Sequence, residues 1–339
     1  MIPPVLLFVG TLITYYLTSL CSAELTPNGQ NLFVYFSQSS GKNVTLIHVC
    51  KNPAVDVVIL GFVRDFDGTG GYPSMDFGPA NCNTTRPLQD PVAPGLARCN
   101  ELGRQVKWCQ GIGKKVFVSI GGSISNTTFE TGSKGHRQAK WAAKVIWNLF
   151  GAGTDMRSLR PLGWDVVVDG FDIDHEEGSS NDYHTFVSEL RSYRSSASKP
   201  IYLSAAPGCT FTSSTLSKAT LALVDFIFIR YYNSADCAIG MPGFPLSLKE
   251  WYEKMVPSPF LPFPKVLLGG LSFYNGNKGY VTAESFRDAV LAAKQPNFTC
   301  WWNAHKFGGV MLWDGVRGLE NEVGPGVDFL TYVKDVLDS

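Results

Sequence analysis

VVVDGFDIDHEEG, residues 166–178, decides how the rest of the chain is read. Three valines lead into Asp172, Asp174 and Glu176 at i, i+2 and i+4, with Phe171 and Ile173 between the acids. Side chains along a strand point alternately to its two faces, so the three carboxylates share one face and Phe171 and Ile173 the other. A solvated acidic run would not follow three valines or carry two large apolar residues on its reverse side, so a strand buried on both faces is expected. Like charges about 6–7 Å apart repel, and burial desolvates them, so at least one is expected to hold a proton near neutrality and supply a general acid. Glu176 would be outermost, Asp174 one step deeper and Asp172 deeper still, with His175 turned to the outer side as a structural residue. A calcium loop shares this spacing only superficially. Gly178 falls two residues past the third acid and Ile173 sits where a turn residue belongs.

Working outward, short Val/Ile/Phe-rich runs recur at 32–36, 55–62, 115–121, 165–174, 201–206, 224–232, 265–271 and 308–313. Amphipathic stretches between them predict helices at about 97–112, 137–150, 182–195, 247–255, 282–293 and 326–336, with weaker connections after the first and fifth strands. Eight buried strands alternating with helices is the pattern of a single-domain α/β (β/α)₈ TIM barrel over residues 24–339, with a doubly wound open sheet as the alternative. In such barrels chemistry sits at the C-terminal ends of the strands, which is where the acids fall. The turn-rich loop from Asp65 to Gly95 is long enough to be functional or pinned by a disulfide, and Cys82 lies within it.

Composition narrows the partner. The 339 residues carry 29 basic and 29 acidic side chains, 13% aromatics, 34 glycines and 20 prolines. That is too apolar for a disordered chain and too balanced to gather nucleic acid or an anionic membrane, so a neutral substrate such as a sugar polymer fits better. Residues 2–20 form an almost uncharged apolar run followed by Cys21, Ser22 and Ala23, which predicts a signal peptide over residues 1–23 cleaved after Ala23. A retained signal anchor is the alternative, because the run approaches spanning length and lacks a basic start. Sequons at Asn43, Asn83, Asn126 and Asn297 agree with passage through the secretory pathway. Beyond Cys21, the cysteines at 50, 82, 99, 109, 209, 237 and 300 are scattered singly, without the paired spacing of a zinc site. Most are expected in disulfides, with one thiol left over.

VDGFDIDHE resembles the D-G-x-D-x-D-x-E signature of glycoside hydrolase family 18, and KVFVSIGGS resembles the S-x-G-G motif on that family's third strand. The surrounding stretches VVILGFVRDFDGTGGYP, WCQGIGKKVFVSIGG, AAKVIWNLFGAGTD, LSAAPGC and FGGVMLWD are similar to class III endochitinases, the fungal members most of all, from about Asn31 to Ser339. The resemblance implies a secreted endo-acting chitinase that hydrolyses β-1,4-linked N-acetylglucosamine with retention, the substrate's own acetamido oxygen attacking the anomeric carbon. It places the proton donor on Glu176 and the acetamido-orienting acid on Asp174, with Asp172 as its proton-sharing partner and Asp169 as the first acid of the motif. Tyr232 would donate to the acetamido carbonyl, Trp313 would floor the central sugar site, and Tyr35, Gln38 and Asn233 would contact substrate. Ser119, Gly121 and Gly122 are expected to be mainly structural. The pairs Cys50–Cys109, Cys82–Cys99 and Cys209–Cys237 are implied in the same way, leaving Cys300 free.

The chain departs from the class III pattern at three places: Arg230 where a Gln precedes the sixth-strand Tyr-Asn, Phe36-Ser37 where Trp-Gly is usual, and Gly208 where a Gln is usual. A fixed positive charge at Arg230, itself expected to touch the sugar or the acids, should favour ionised Asp174 and Glu176, weaken the general acid and move the acidic limb of the pH profile lower. The chitinase reading therefore has a rival, a chitinase-like lectin or inhibitor on the same barrel, with an endo-β-N-acetylglucosaminidase as a third possibility. The substrate expected is chitin or its oligomers, acted on extracellularly by a monomer; no cofactor, metal, nucleic acid or membrane partner is expected for the mature chain.

Overall fold

The computed structural model describes residues 25, 30–37, 44–78, 82, 93, 95–255, 264–274, 276, 278–294 and 307–339. Eight parallel strands close on themselves: β1 (Asn31–Phe36), β2 (Val57–Asp65), β3 (Lys115–Gly121), β4 (Gly170–Asp174), β5 (Tyr202–Ala205), β6 (Phe226–Arg230), β7 (Lys265–Leu271) and β8 (Phe307–Trp313). Closure is made by β1, which pairs with β2 through Phe33 opposite Val57 and with β8 through Asn31 opposite Gly309. The barrel is therefore the architecture, and the open-sheet alternative is excluded by that double pairing.

Period-two alternation divides each strand between two cores. Phe33, Val57, Ile59, Phe117, Phe226, Phe228, Leu267 and Met311 fill the barrel interior, while Val34, Val58, Val118, Phe171 and Ile173 face the helices. Phe33 packs at 5.1 Å from Phe226 and 4.9 Å from Phe228, a ring cluster that fills part of the barrel interior. Gly170 opens β4 because a side chain there would meet the Phe117 ring at 2.6 Å.

The helices follow the sequence closely, at Asn100–Gly111, Gly132–Phe150, Tyr183–Tyr193, Phe244–Lys254, Ala283–Lys294 and Phe329–Asp338. The connections expected to be weak are short helices, Leu46–Lys51 after β1 and Lys218–Leu221 after β5. The fourth strand is shorter than its apolar run. Asp169, just before it, spends its carboxylate on the Val116 N–H at 2.9 Å, Gln110 at 2.7 Å and Lys199 at 2.7 Å, so the first acid of the motif anchors the strand rather than the chemistry. After β2 the chain folds back as a short strand, Ser74–Met75, with Val63 opposite Met75. Disulfides join Cys50 to Cys109, Cys82 to Cys99 and Cys209 to Cys237. Cys300 lies outside the described residues, as do Gln38, Asn43, Asn83, Asn297 and the leader 1–23. No helix among the described residues is long and apolar enough to cross a membrane.

Candidate active site

The acids of β4 rise through the barrel as their spacing dictates. Asp172 is fully buried, level with Ser119 of β3 and Ser204 of β5, and Asp174 is level with Gly121. Three hydroxyls from three strands converge on Asp172: Tyr35 and Ser119 each donate to Oδ2 at 2.6 Å, and Ser204 donates to Oδ1 at 2.8 Å. Burial raises the pKa of Asp172, and these hydroxyls oppose the rise by solvating the carboxylate. Gly121 lets β3 turn away at this height: its φ is +118°, and a Cβ would lie 2.1 Å from the Asp174 carbonyl oxygen.

Arg230, the last residue of β6, reaches across to both outer acids. Its Nη1 lies 3.2 Å from Asp174 Oδ1 and pairs with Glu176 Oε2, while the side chain is only 11% exposed. Burial opposes the guanidinium's charge, but the Asp174 and Glu176 carboxylates outweigh it and hold its pKa above the ordinary value. For Asp174 the balance goes the other way. Burial pushes its pKa well up, Arg230 pulls against that, and the nearby Glu176 and Asp172 carboxylates add to the rise. Arg230 therefore acts on Asp174 in the expected direction, towards the ionised form, but desolvation of a fully enclosed carboxyl exceeds the help from one shared cation and the net shift is upward.

Above the acids is a cleft of about 210 Å³ lined by Phe62, Arg64, Gly121–Ile124, Asp174, Glu176, Tyr232, Asn233 and Trp313. Trp313 ends β8, half-buried, with its indole stacked on Phe62 at 5.9 Å and 19° between planes. Tyr232 is buried at the wall, its phenol kept protonated chiefly by burial, with the acids adding to the effect against Arg230. Asn233 sits at a left-handed φ of +57° on the turn that leaves β6. Non-proline cis peptide bonds precede Phe62 and Asp314 beside this cleft. A second hollow of about 230 Å³ lies on the far side of Glu176, walled by Gly208, Thr210, Thr215, Arg230 and Ser234 and sharing Tyr232 and Asn233 with the first. Gly208 pairs with Arg230 across β5 and β6, and no atom lies within 4 Å of where its side chain would begin, so the missing Gln leaves open space beside the guanidinium.

Glu176, Asp174, Tyr232, Arg230, Asn233 and Trp313 are therefore gathered at one mouth, with Asp172 fully buried beneath it. Tyr35 is not at the surface of the cleft: it is 1% exposed and spends its hydroxyl on Asp172, one layer below where a sugar contact was expected. Ser119, expected to be mainly structural, is also an Asp172 donor. Ser204 and Phe62 were not singled out by sequence reasoning. Ser204 carries a usable signal, a lone hydroxyl at an inward position of the apolar run IYLSAA, whereas nothing local marks Phe62. His175 is 1% exposed on the outer side of β4, its ring 4.3 Å from that of Tyr183, as alternation requires.

The sequence profile of glycosyl hydrolases family 18 matches residues 31–258. The chain belongs to this family. Endochitinase 3 of Metarhizium anisopliae is 31% identical to this family 18 hydrolase over 302 residues, 89% of this chain and 97% of the relative. Among solved structures, a chitinase of Ipomoea carnea superposes with a TM-score of 0.71 at 24% identity, covering 90% of this chain and 99% of the other. A xylanase and α-amylase inhibitor protein of Scadoxus multiflorus does so with a TM-score of 0.70 at 25% identity, covering 90% and 98%. The fold of this hydrolase is thus shared by proteins described as enzymes and by proteins described as inhibitors, and only the site chemistry can separate the two for this chain.

Proposed function

We propose that this family 18 hydrolase is a secreted, endo-acting chitinase that cleaves β-1,4-linked N-acetylglucosamine with retention. The observation that carries the reading is the acid ladder of β4, with Glu176 on the cleft wall directly above a buried Asp174 that favours its protonated form. In the reaction, Glu176 gives its proton to the glycosidic oxygen as the C1–O bond breaks. The acetamido carbonyl oxygen forms the new bond to C1, closing an oxazolinium ring. Water then attacks C1, Glu176 takes a proton from that water, and the ring opens back to the acetamide with the original anomeric configuration. Asp174 orients the acetamido group and balances the charge that develops on it, with Asp172 as its inner partner. Tyr232 donates to the acetamido carbonyl, Asn233 and Arg230 contact the sugar or the acids, and Trp313 offers an apolar indole face to the sugar ring. The expected route to the outside is the leader 1–23, removed after Ala23, with Asn126 exposed on the cleft rim as an acceptor for a glycan. The similarity to fungal endochitinases supports chitin as the substrate.

A second reading has its own observation. Arg230 bridges both outer acids, and an ion pair of that kind ties up the Glu176 oxygen that would have to face a leaving group. On that reading the protein is a weak or inactive chitinase-like lectin or inhibitor. Turnover of chitin oligosaccharides by the purified protein, beside Glu176→Gln, separates the two. Hydrolysis that falls on the order of 10²–10⁴-fold in the variant supports the enzyme. Oligomer binding without turnover supports the lectin or inhibitor.

A further inference from the structure

A hollow larger than either of those at the acids lies elsewhere. A cavity of about 390 Å³ lies on the outer flank of the barrel, between the helix Asn100–Gly111 and the segment 157–166, and shares no residue with either hollow at the β4 mouth. The segment is pinned there: the Cys99 N–H donates to the Pro161 carbonyl at 2.8 Å, and Gly103 has no side chain where the Leu162 carbonyl crosses the helix. Five cations line the cavity, Arg98, Arg104, Lys107, Arg157 and Arg160, against one acid, Asp165. In a chain whose formal net charge is zero, this is a concentrated local excess.

Partners account for only part of that charge. Lys107 pairs with Asp165 at 2.6 Å, and Arg104 pairs with Glu101. Arg98 and Arg157 are exposed and have no ion pair among the described residues. Arg160 is 7% exposed; its Nη2 donates to the Gly151 carbonyl and to that of Val166 at 2.7 Å, and its Nη1 to that of Gly153 at 3.5 Å, neutral acceptors that leave the charge unpaired, while its buried Nε finds no partner. Burial first, and then repulsion from Arg157, lower the pKa of Arg160 to about 10, with Asp165 pulling the other way. At the same rim Trp164 is 67% exposed, an unusual setting for an indole. A donor-rich cationic pocket beside a bare indole matches a ligand with oxyanion and ring face together.

We propose that this flank cavity is a second carbohydrate site, selective for a sugar bearing a phosphate or sulfate ester. The ester lies between Arg98 and Arg157, over the buried Arg160 guanidinium, and the ring stacks on Trp164. The assignment is independent of turnover at Glu176.

Isothermal titration with N-acetylglucosamine 6-phosphate, N-acetylglucosamine 6-sulfate, unmodified N-acetylglucosamine and inorganic phosphate tests it in the full chain. At least one ester should bind about tenfold or more tightly than the unmodified sugar and inorganic phosphate, and which ester wins identifies the oxyanion. The double variant Arg98→Ala/Arg157→Ala, confined to exposed side chains, should weaken the esters by about tenfold or more, and added salt should act in the same direction. Trp164→Ala should weaken the esters several-fold and leave inorganic phosphate unchanged. Glu176→Gln should leave the preference for an ester over the unmodified sugar in place, which keeps this result separate from the fate of the chitinase reading. Esters that bind no better than the unmodified sugar, ester binding that survives the double arginine variant, or inorganic phosphate that binds as well as both esters would each overturn the proposal.

Discussion

Replacing Arg230 by Gln is the most informative change at the cleft. A unit charge pair at the 3.2 Å that separates Arg230 Nη1 from Asp174 Oδ1 is worth about 5 kcal/mol at an effective dielectric of about 20. Desolvation of the guanidinium offsets much of this. If about a third remains, removing the cation costs the ionised acid pair about 1.5 kcal/mol, close to one pH unit. Arg230 also contacts Glu176, and the pH–rate profile is expected to move by about one pH unit. The sign follows from the chemistry. The reaction needs a proton on the donor, so the rate falls when rising pH ionises the Asp174–Glu176 pair, and a cation that favours the ionised pair sets that limb low. Arg230→Gln should move the profile upward and raise turnover near neutrality, whereas Arg230→Lys, which keeps the charge, should leave the limbs nearly in place. Initial rates on chitin oligosaccharides over a pH series would measure both, with thermal denaturation of each variant as the fold control. Limbs that stay fixed in Arg230→Gln, or move to lower pH, would refute the electrostatic reasoning.

Four further outcomes are expected. Ser204→Ala removes the donor to buried Asp172 Oδ1 and should destabilise the fold by about 1–3 kcal/mol in urea denaturation; a loss under about 0.5 kcal/mol would mean that this hydroxyl makes no net contribution at Asp172. Trp313→Ala should raise KM about tenfold or more with a smaller effect on kcat, because it removes the stacking face above Phe62 and leaves the acids in place; a loss in kcat alone would contradict a floor role. Joint replacement of Cys209 and Cys237 by Ser opens a loop of 28 residues and should cost about 3–4 kcal/mol of stability, read from the denaturation midpoint. Asn126→Gln should remove one glycan from protein secreted by a eukaryotic host, read by intact mass, since Asn126 is exposed and its own Oδ1 accepts from Thr128 two residues on; an unchanged mass would show that this sequon is not used.

The acids were legible before any coordinates because their message is local. Period two in VVVDGFDIDHEEG puts Asp172, Asp174 and Glu176 on one face and Phe171, Ile173 and His175 on the other, and the strand obeys it. The same rule placed Tyr35 inside the barrel but could not say at which height, and that height turns an expected sugar contact into a ligand of Asp172. The three disulfides came from the family resemblance rather than from spacing, since seven scattered cysteines allow many pairings.

By itself, then, the sequence determined the number and order of strands, the acidic face of the fourth and the membership of a hydrolase family, all of which rest on periodicity and short motifs. Tertiary structure alone decided that hydroxyls from β1, β3 and β5 solvate Asp172, that Arg230 bridges Asp174 and Glu176 from β6, and that Phe62 lies under Trp313. It also brought Arg98, Arg157, Arg160 and Trp164 around one hollow on the flank. These groups come from segments far apart in the chain. Their distances are set by barrel closure and by register between strands, and neither quantity is written in any local stretch of sequence.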